Sequence, residues 1–132
     1  MTMHRTIEEL VKDYYNEMQQ AFKTGHINLN KLHFAENILV LGPNEKHEGK
    51  KNVEKMYNEM LLPYMTRFEI LHHYFDHNSA CTILDCVTKT PAGVVPTVEW
   101  MKFKDGKIYE IQLYYDGAKW KKVNEMKTRR SA

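Results

Sequence analysis

The segment "ACTILDCVTKTPAGVVPTVEWMKFKDGKIYEIQLYYD", residues 80–116, decides the fold that we predict for this chain. It contains three stretches in which apolar and polar residues alternate, separated by the turn sequences "PAG" and "DG". Such alternation indicates strands with one buried face, and short turns of this kind join antiparallel neighbours. A similar stretch, "RFEILHHYFD", precedes the segment. The C-terminal half is therefore predicted to form a meander of four strands.

The N-terminal half has helical periodicity instead. Apolar residues recur at helical spacing from Ile7 to Phe22, which predicts an amphipathic helix that ends at "TGH". A short strand, "NILVLGP", comes next, and a polar loop leads to a second helical pattern from Val53 to Leu61, which Pro63 ends. Helices followed by a meander predict an α+β domain, in which a curved antiparallel sheet buries one face against the helices.

Size and composition limit the possible functions. A chain of 132 residues with 42% hydrophobic residues is long enough for one domain with a core. The 19 basic and 17 acidic residues nearly balance, which does not favour binding to nucleic acid or to an anionic membrane. No apolar run approaches the roughly 20 residues of a membrane span, and "MTMHRTIEEL" lacks a signal-peptide core. We expect a soluble, cytoplasmic protein with no membrane partner.

Basic residues are concentrated only at the C-terminal end. We assign residues 1–118 to the domain and residues 119–132, which include "KWKKVNEMKTRR", to a basic tail. Only one aromatic residue, Trp120, lies among these charges, so a solvated or dimer-contacting tail is favoured over a nucleic-acid site. A nucleic-acid accessory role would require salt-dependent binding that is lost on truncation after Gly117.

The turn "TPAGV", residues 90–94, predicts a register for the two strands that it joins. Pro91 suits the first corner of a type I turn, and Gly93 suits the left-handed position of a three-residue hairpin loop. If the strands close directly around this loop, Asp85 faces Glu99 across the hairpin on a largely apolar face.

Two facing carboxyl groups on an apolar face would have coupled protonation. Burial and like charge both raise carboxyl pKa values, so one group would stay protonated near neutral pH. An acid and a base could then come from the same pair. The alternative remains open that this face of the hairpin points outward, or that a lysine or histidine satisfies each acid.

The histidine-rich stretch "HHYFDH", residues 72–77, contains enough possible ligands for a metal ion. Adjacent histidines on a strand point to opposite faces, however, so structural or surface roles are favoured. The sequence also contains no glycine-rich phosphate loop, no Ser-His-Asp order and no paired CxxC motif. We therefore predict no metal site and no cofactor.

The order of these elements resembles the SnoaL-like polyketide cyclases of the nuclear transport factor two-like superfamily, which includes the ketosteroid isomerases. The features are the Gly-Pro that ends the first strand, "HEGKKNV" before the second helix, and the final strands "VEWMKFKDGKIYEIQLYYD". The resemblance covers about residues 5–118. It implies a cystatin-like α+β barrel: a cone-shaped curved sheet around a pocket that the first helix closes, usually in a homodimer.

The resemblance also implies site residues. The catalytic aspartate of ketosteroid isomerases falls on Gly42, so that base is missing, and their helical tyrosine donor falls on Met18. Their protonated acid matches Glu99, and the aspartate of the cyclases matches Asp116. Simple alternation in "IYEIQLYYD" turns Asp116 away from the pocket unless a bulge intervenes.

We therefore predict a cofactor-independent isomerase, cyclase or hydratase that acts on a small apolar or carbonyl-containing ligand. The predicted catalytic residues are Asp85, Glu99 and Asp116, and the predicted substrate-binding residues are Tyr15, Met18, Phe34, Met101 and Tyr115. The alternative is a non-catalytic ligand-binding or dimerisation module of the same fold, which the missing aspartate at Gly42 favours. A pair of buried acids favours the enzyme, because an apolar ligand cage gains nothing from their desolvation.

Overall fold

A computed structural model of the chain describes residues 5–119. Its helical elements are α1 (Ile7–Thr24), a 3₁₀ turn (Leu29–Lys31), α2 (Lys50–Lys55), a π-helical segment (Met56–Leu61) and a second 3₁₀ turn (Leu62–Tyr64). The strands are β1 (Phe34–Gly42), β2 (Glu45–Glu48), β3 (Met65–Phe75), β4 (Ser79–Thr88), β5 (Val94–Lys104) and β6 (Lys107–Tyr115). Apart from Lys119, the predicted basic tail lies outside the described residues.

The six strands form one curved, open sheet in the order β2-β1-β6-β5-β4-β3. The predicted α+β class and the meander β3 to β6 are confirmed. One pair departs from the expected antiparallel arrangement: β1 runs parallel to β6, so the sheet is mixed. No hairpin joins these two strands, and their relative direction is therefore not set by a turn.

Helix α1 covers the inner face of the sheet, and its ends are as predicted. Thr6 and Glu9 form a reciprocal capping box that satisfies backbone amides at the start of the helix. Gly25 follows Thr24 with φ 77°, a left-handed conformation that suits a glycine after a helix. None of the helices within residues 5–119 has both the length and the apolar character that crossing a membrane requires.

The predicted register of the β4–β5 hairpin is wrong. The strands close at Val87 and Val94, so Thr82 pairs with Glu99 and Asp85 pairs with Pro96. Thr90 still begins a tight turn, because its carbonyl accepts the Gly93 amide at 3.0 Å, but the ladder ends before this turn. The register differs from the prediction by an odd number of residues, which moves every side chain of β4 to the opposite face relative to β5.

This shift separates the two predicted catalytic acids. The inner face of β4 and β5 carries the buried, alternating residues Ala80, Thr82, Leu84, Cys86, Val95, Thr97, Glu99, Met101 and Phe103. Asp85 alternates with Leu84 and Cys86 and therefore lies on the outer face. Glu99 remains inside, without Asp85.

The stretch "NEKHEGKK" was predicted to be a polar loop, but its first half forms β2. This strand lies at the sheet edge and pairs with β1, with Gly42 opposite Glu45 and Leu41 opposite Lys46. Its burial alternates, so that Glu45 and His47 lie deeper than Lys46 and Glu48. A four-residue edge strand made of charged residues has no apolar alternation to indicate it in the sequence.

Candidate active site

A cavity lies between the inner face of the sheet and the π-helical segment. Its volume is about 50 Å³. The cavity is lined by Val40, Glu45, Met56, Tyr57, Met60, Leu61, Phe68, Cys86, Thr97, Glu99, Ile111, Leu113 and Tyr115. The lining is mostly apolar, with two carboxyl groups. π-Helical turns often occur at functional sites, because the extra residue redirects side chains.

Glu99 is the more deeply buried of the two carboxyl groups, with 5% of the residue exposed. Its Oε1 accepts a hydrogen bond of 2.8 Å from the hydroxyl of Tyr15 on α1. Burial raises the pKa of Glu99 to about 7, although the bond from Tyr15 lowers it. A substantial fraction of Glu99 is therefore a neutral carboxylic acid at neutral pH.

Glu45 is the second acid, and sequence reasoning missed it. A β-carbon built on Gly42 would lie 2.8 Å from both Cγ and Oε1 of Glu45. The Glu45 side chain thus occupies the space that a side chain at position 42 would need. Gly42 is the position where the resemblance to ketosteroid isomerases implies an aspartate, so the cavity has a carboxyl group there from a neighbouring strand.

Two groups hold Glu45 in place. Tyr115 on β6 donates a hydrogen bond to it, and burial together with Glu45 raises the pKa of Tyr115 well above its usual value. His47 Nε2, which is buried and has no hydrogen-bond partner in the described residues, lies 3.6 Å from Glu45 Oε2. The Tyr115 hydroxyl and the His47 ring thus orient the Glu45 carboxyl group at the cavity wall.

Tyr57 lines the cavity and contacts a second tyrosine. The Tyr57 hydroxyl is 2.6 Å from that of Tyr14 on α1. Burial raises the pKa of Tyr57 well above its usual value, and the charges of both Glu99 and Glu45 contribute. Tyr57 is therefore within electrostatic reach of both carboxyl groups. Burial raises the pKa of the Cys86 thiol to about 12, which leaves it a poor nucleophile at neutral pH.

A family model described as a SnoaL-like domain matches residues 11–111 of the chain. The chain belongs to the SnoaL-like family. This confirms the resemblance found in the sequence. No curated protein matches the chain in sequence.

Solved structures confirm the fold of this SnoaL-like protein. An NTF2-like protein of unknown function from Cytophaga hutchinsonii is 18% identical, with a TM-score of 0.69 over 89% of this chain and 96% of that chain. A putative polyketide cyclase from Sinorhizobium meliloti is 18% identical, with a TM-score of 0.65 over 80% and 93%. A steroid delta-isomerase from Pseudomonas aeruginosa is 12% identical, with a TM-score of 0.69 over 97% and 95%. At such identities the likeness shows the fold and not the reaction.

Of the site residues predicted for this SnoaL-like domain, only some line the cavity. Glu99 and Tyr115 line the cavity. Tyr15 contacts Glu99 from α1 and also lines a groove between α1 and β3. The other three predicted substrate contacts are buried core residues that do not line the cavity: Met18, Phe34 and Met101.

The two predicted aspartates lie outside the cavity. Asp85 is on the outer face of the sheet because it pairs with Pro96 and not with Glu99. Asp116 follows the end of β6, is exposed, and accepts a hydrogen bond of 2.9 Å from the Ala118 amide. Within residues 5–119, no bulge brings Asp116 inward, and the acids that line the cavity are Glu45 and Glu99.

Proposed function

We propose that this protein is a cofactor-independent acid–base enzyme that isomerises, cyclises or hydrates a compact carbonyl-containing molecule. The observation that carries the proposal is the pair Glu45 and Glu99, two carboxyl groups in different environments that face one apolar cavity. Environments that separate two carboxyl groups into an acid and a base are characteristic of enzymes that move protons.

The two acids have different roles in this proposal. The Glu45 carboxylate removes a proton from the carbon next to the substrate carbonyl, and negative charge then develops on the carbonyl oxygen. The neutral carboxyl group of Glu99 donates a hydrogen bond to that oxygen and can transfer its proton to it. Return of the first proton from Glu45 to another carbon completes an isomerisation. Alternatively, attack of the enolate on a second carbonyl closes a ring, and the proton on Glu45 then passes to the new alkoxide oxygen.

The relatives support the same class of chemistry. The structural neighbours named above include a putative polyketide cyclase and a steroid delta-isomerase. The small volume and apolar lining of the cavity favour a substrate more compact than a steroid, or a larger one that displaces the π-helical segment.

The proposal is tested by proton exchange on a simple ketone. We expect the wild-type protein to catalyse saturable deuterium incorporation next to the carbonyl of cyclopentanone in D₂O, followed by proton NMR. Glu99→Gln should slow this exchange about tenfold or more, because the amide cannot give up a proton as the acid does.

Matched controls remove carboxyl groups that lie outside the cavity. Asp85→Asn and Asp116→Asn should keep the wild-type exchange rate, because neither side chain lines the cavity. If the wild-type protein exchanges cyclopentanone no faster than buffer, yet binds 4-methylphenol in the cavity, the non-catalytic binding module is the correct function.

We also propose that the outer face of the sheet forms a homodimer interface with a second copy of the chain. Tyr74 and Tyr114 are 58% and 52% exposed there, and Trp100 lies between them on β5. Opposite-charge pairs flank this apolar centre, namely Arg67 with Glu69 and Lys102 with Glu110. An apolar centre with a polar rim is the usual anatomy of an interface that pairs with itself.

A charge at the centre of this face should separate the dimer. We expect Trp100→Glu to elute and sediment as a monomer, because the apolar ring at the centre of the face would be replaced by a carboxylate that loses its hydration in the dimer. Phe75→Glu is the matched control, since Phe75 is also exposed but lines the groove beside α1. A wild-type protein that is monomeric at micromolar concentration would refute the interface.

A further inference from the structure

We propose that His73, Thr82 and Tyr15 form a proton relay that connects Glu99 in the cavity to the groove between α1 and β3. This inference rests on the proposed function, in which Glu99 can give its proton to the substrate. Glu99 is nearly inaccessible, so it needs a route by which a proton returns while the cavity is occupied.

The sheet places two residues of the proposed relay and Glu99 side by side. His73 on β3 pairs with Thr82 on β4, and Thr82 pairs with Glu99 on β5. Residues paired in this way have β-carbons about 5 Å apart on the same face of the sheet. Thr82 is only 1% exposed, so its hydroxyl is isolated from solvent and depends on these neighbours.

Hydrogen bonds connect these three strand residues to α1. Nδ1 of His73 lies 2.8 Å from Oγ1 of Thr82. Burial raises the pKa of Tyr15, and hydrogen bonding from the neighbouring Thr82 hydroxyl acts in the opposite direction. Tyr15 itself donates to Glu99 at 2.8 Å. The Tyr15 ring also lies against the His73 ring, with centroids 5.5 Å apart.

The direction of these bonds follows from the number of protons available. A phenol has one proton, and that of Tyr15 is used in the bond to Glu99. Thr82 must therefore donate to the Tyr15 oxygen, and its own oxygen must accept from Nδ1–H of His73. All three donors point toward Glu99, which is the arrangement that a relay needs.

One transfer along the relay conserves protons and charge. Protonated His73 gives its Nδ1 proton to Thr82, the Thr82 proton passes to Tyr15, and the Tyr15 proton passes to the Glu99 carboxylate. One N–H bond breaks and one carboxyl O–H bond forms, while each hydroxyl exchanges one proton for another. His73 is left neutral with its remaining proton on Nε2.

The groove supplies the outer end of the relay. His73 is half-buried and lines the groove together with Lys12, Asn16 and Gln19. Burial and the neighbouring His72 lower the pKa of His73, whereas burial raises that of Glu99. Both shifts favour transfer from protonated His73 to ionised Glu99.

The test measures proton exchange at Glu99 directly and needs no substrate. The buried acid has a carbonyl stretching band in the infrared, which Glu99→Gln identifies by its loss and which shifts after mixing into D₂O at pH 6. We expect Thr82→Val, which keeps the shape of threonine, to slow this shift about tenfold or more.

A second pair of variants keeps the test decisive if Thr82→Val does not fold. Tyr15→Phe should slow the exchange in the same way, whereas Tyr14→Phe should not, because Tyr14 bonds to Tyr57 instead. Wild-type exchange rates in Thr82→Val or in Tyr15→Phe would show that protons reach Glu99 through the cavity, and would overturn the relay. Because this readout involves no turnover, it is independent of the cyclopentanone result.

Discussion

The wild-type protein should lose about 3 kcal/mol of unfolding free energy as the pH rises from about 4.5 to about 8, relative to the Glu99→Gln variant. The pKa of Glu99 is about 7 in the folded protein, against an unfolded value of 4.5. Each unit of difference corresponds to about 1.4 kcal/mol between the two states. This is a large fraction of the stability of a domain of this size.

The sign follows from which state binds more protons. Below pH 4.5 Glu99 is protonated in both states and has no effect. Between pH 4.5 and 7 the unfolded chain ionises first and is stabilised, so the folded state becomes relatively less stable. Above about pH 7 both states are ionised, and the loss is complete.

Urea titrations at a fixed protein concentration, repeated from pH 4.5 to 8, measure this difference. Glutamine at position 99 can still accept the hydrogen bond from Tyr15 and does not titrate, so other ionisable groups largely cancel in the comparison. A constant difference between the two proteins across this range would show that Glu99 is ionised in the folded state throughout.

Removal of Glu45 should have the largest effect on catalysis. We expect Glu45→Gln and Glu45→Ala to slow deuterium exchange into cyclopentanone by about 10²- to 10⁴-fold, the usual contribution of a general base. Both variants would keep the Glu99 acid, but they would lack the group that removes the proton.

The Glu45 side chain fills the space next to Gly42, and this allows a rescue experiment. Gly42→Asp in the Glu45→Ala background should recover part of the lost rate, because the aspartate enters the space that Glu45 vacates. Gly42 does not have the left-handed backbone that disfavours a side chain. The recovered rate is measured by the same NMR assay.

The controls for the rescue separate charge from shape. Gly42→Asn with Glu45→Ala has nearly the same shape without the carboxylate and should recover nothing. Gly42→Asp alone would crowd Glu45 and should not exceed the wild-type rate. If the Asp and Asn double variants exchange equally slowly, Glu45 does not act as the base in this position.

Local signals in the sequence account for the elements that were predicted correctly. Helix α1 has its capping box and its terminal glycine within the segment itself, so no distant contact is needed to set its ends. The hairpin between β5 and β6 closes at Asp105 and Gly106, both with positive φ, as the "DG" signal indicates.

The register error arose within a single hairpin, at the point where its ladder ends. The β4–β5 turn was recognised, but the point where the ladder stops depends on Thr88, whose amide and hydroxyl both donate to the Gly93 carbonyl. Because strand faces alternate at every residue, this small difference moved Asp85 from the predicted cavity to the outer face.

The sequence by itself determined the class of the fold, the start and end of α1 and the meander, because periodicity and turn chemistry are local properties. Glu99 was singled out by the family resemblance, since the register derived from the turn was wrong. The partner of Glu99 was decided only by the tertiary structure. Glu45 becomes a cavity residue because β2 pairs with β1 beside Gly42, and Tyr15 becomes the donor to Glu99 because α1 covers the sheet. Long-range pairing sets these contacts, and no local pattern in the sequence encodes it.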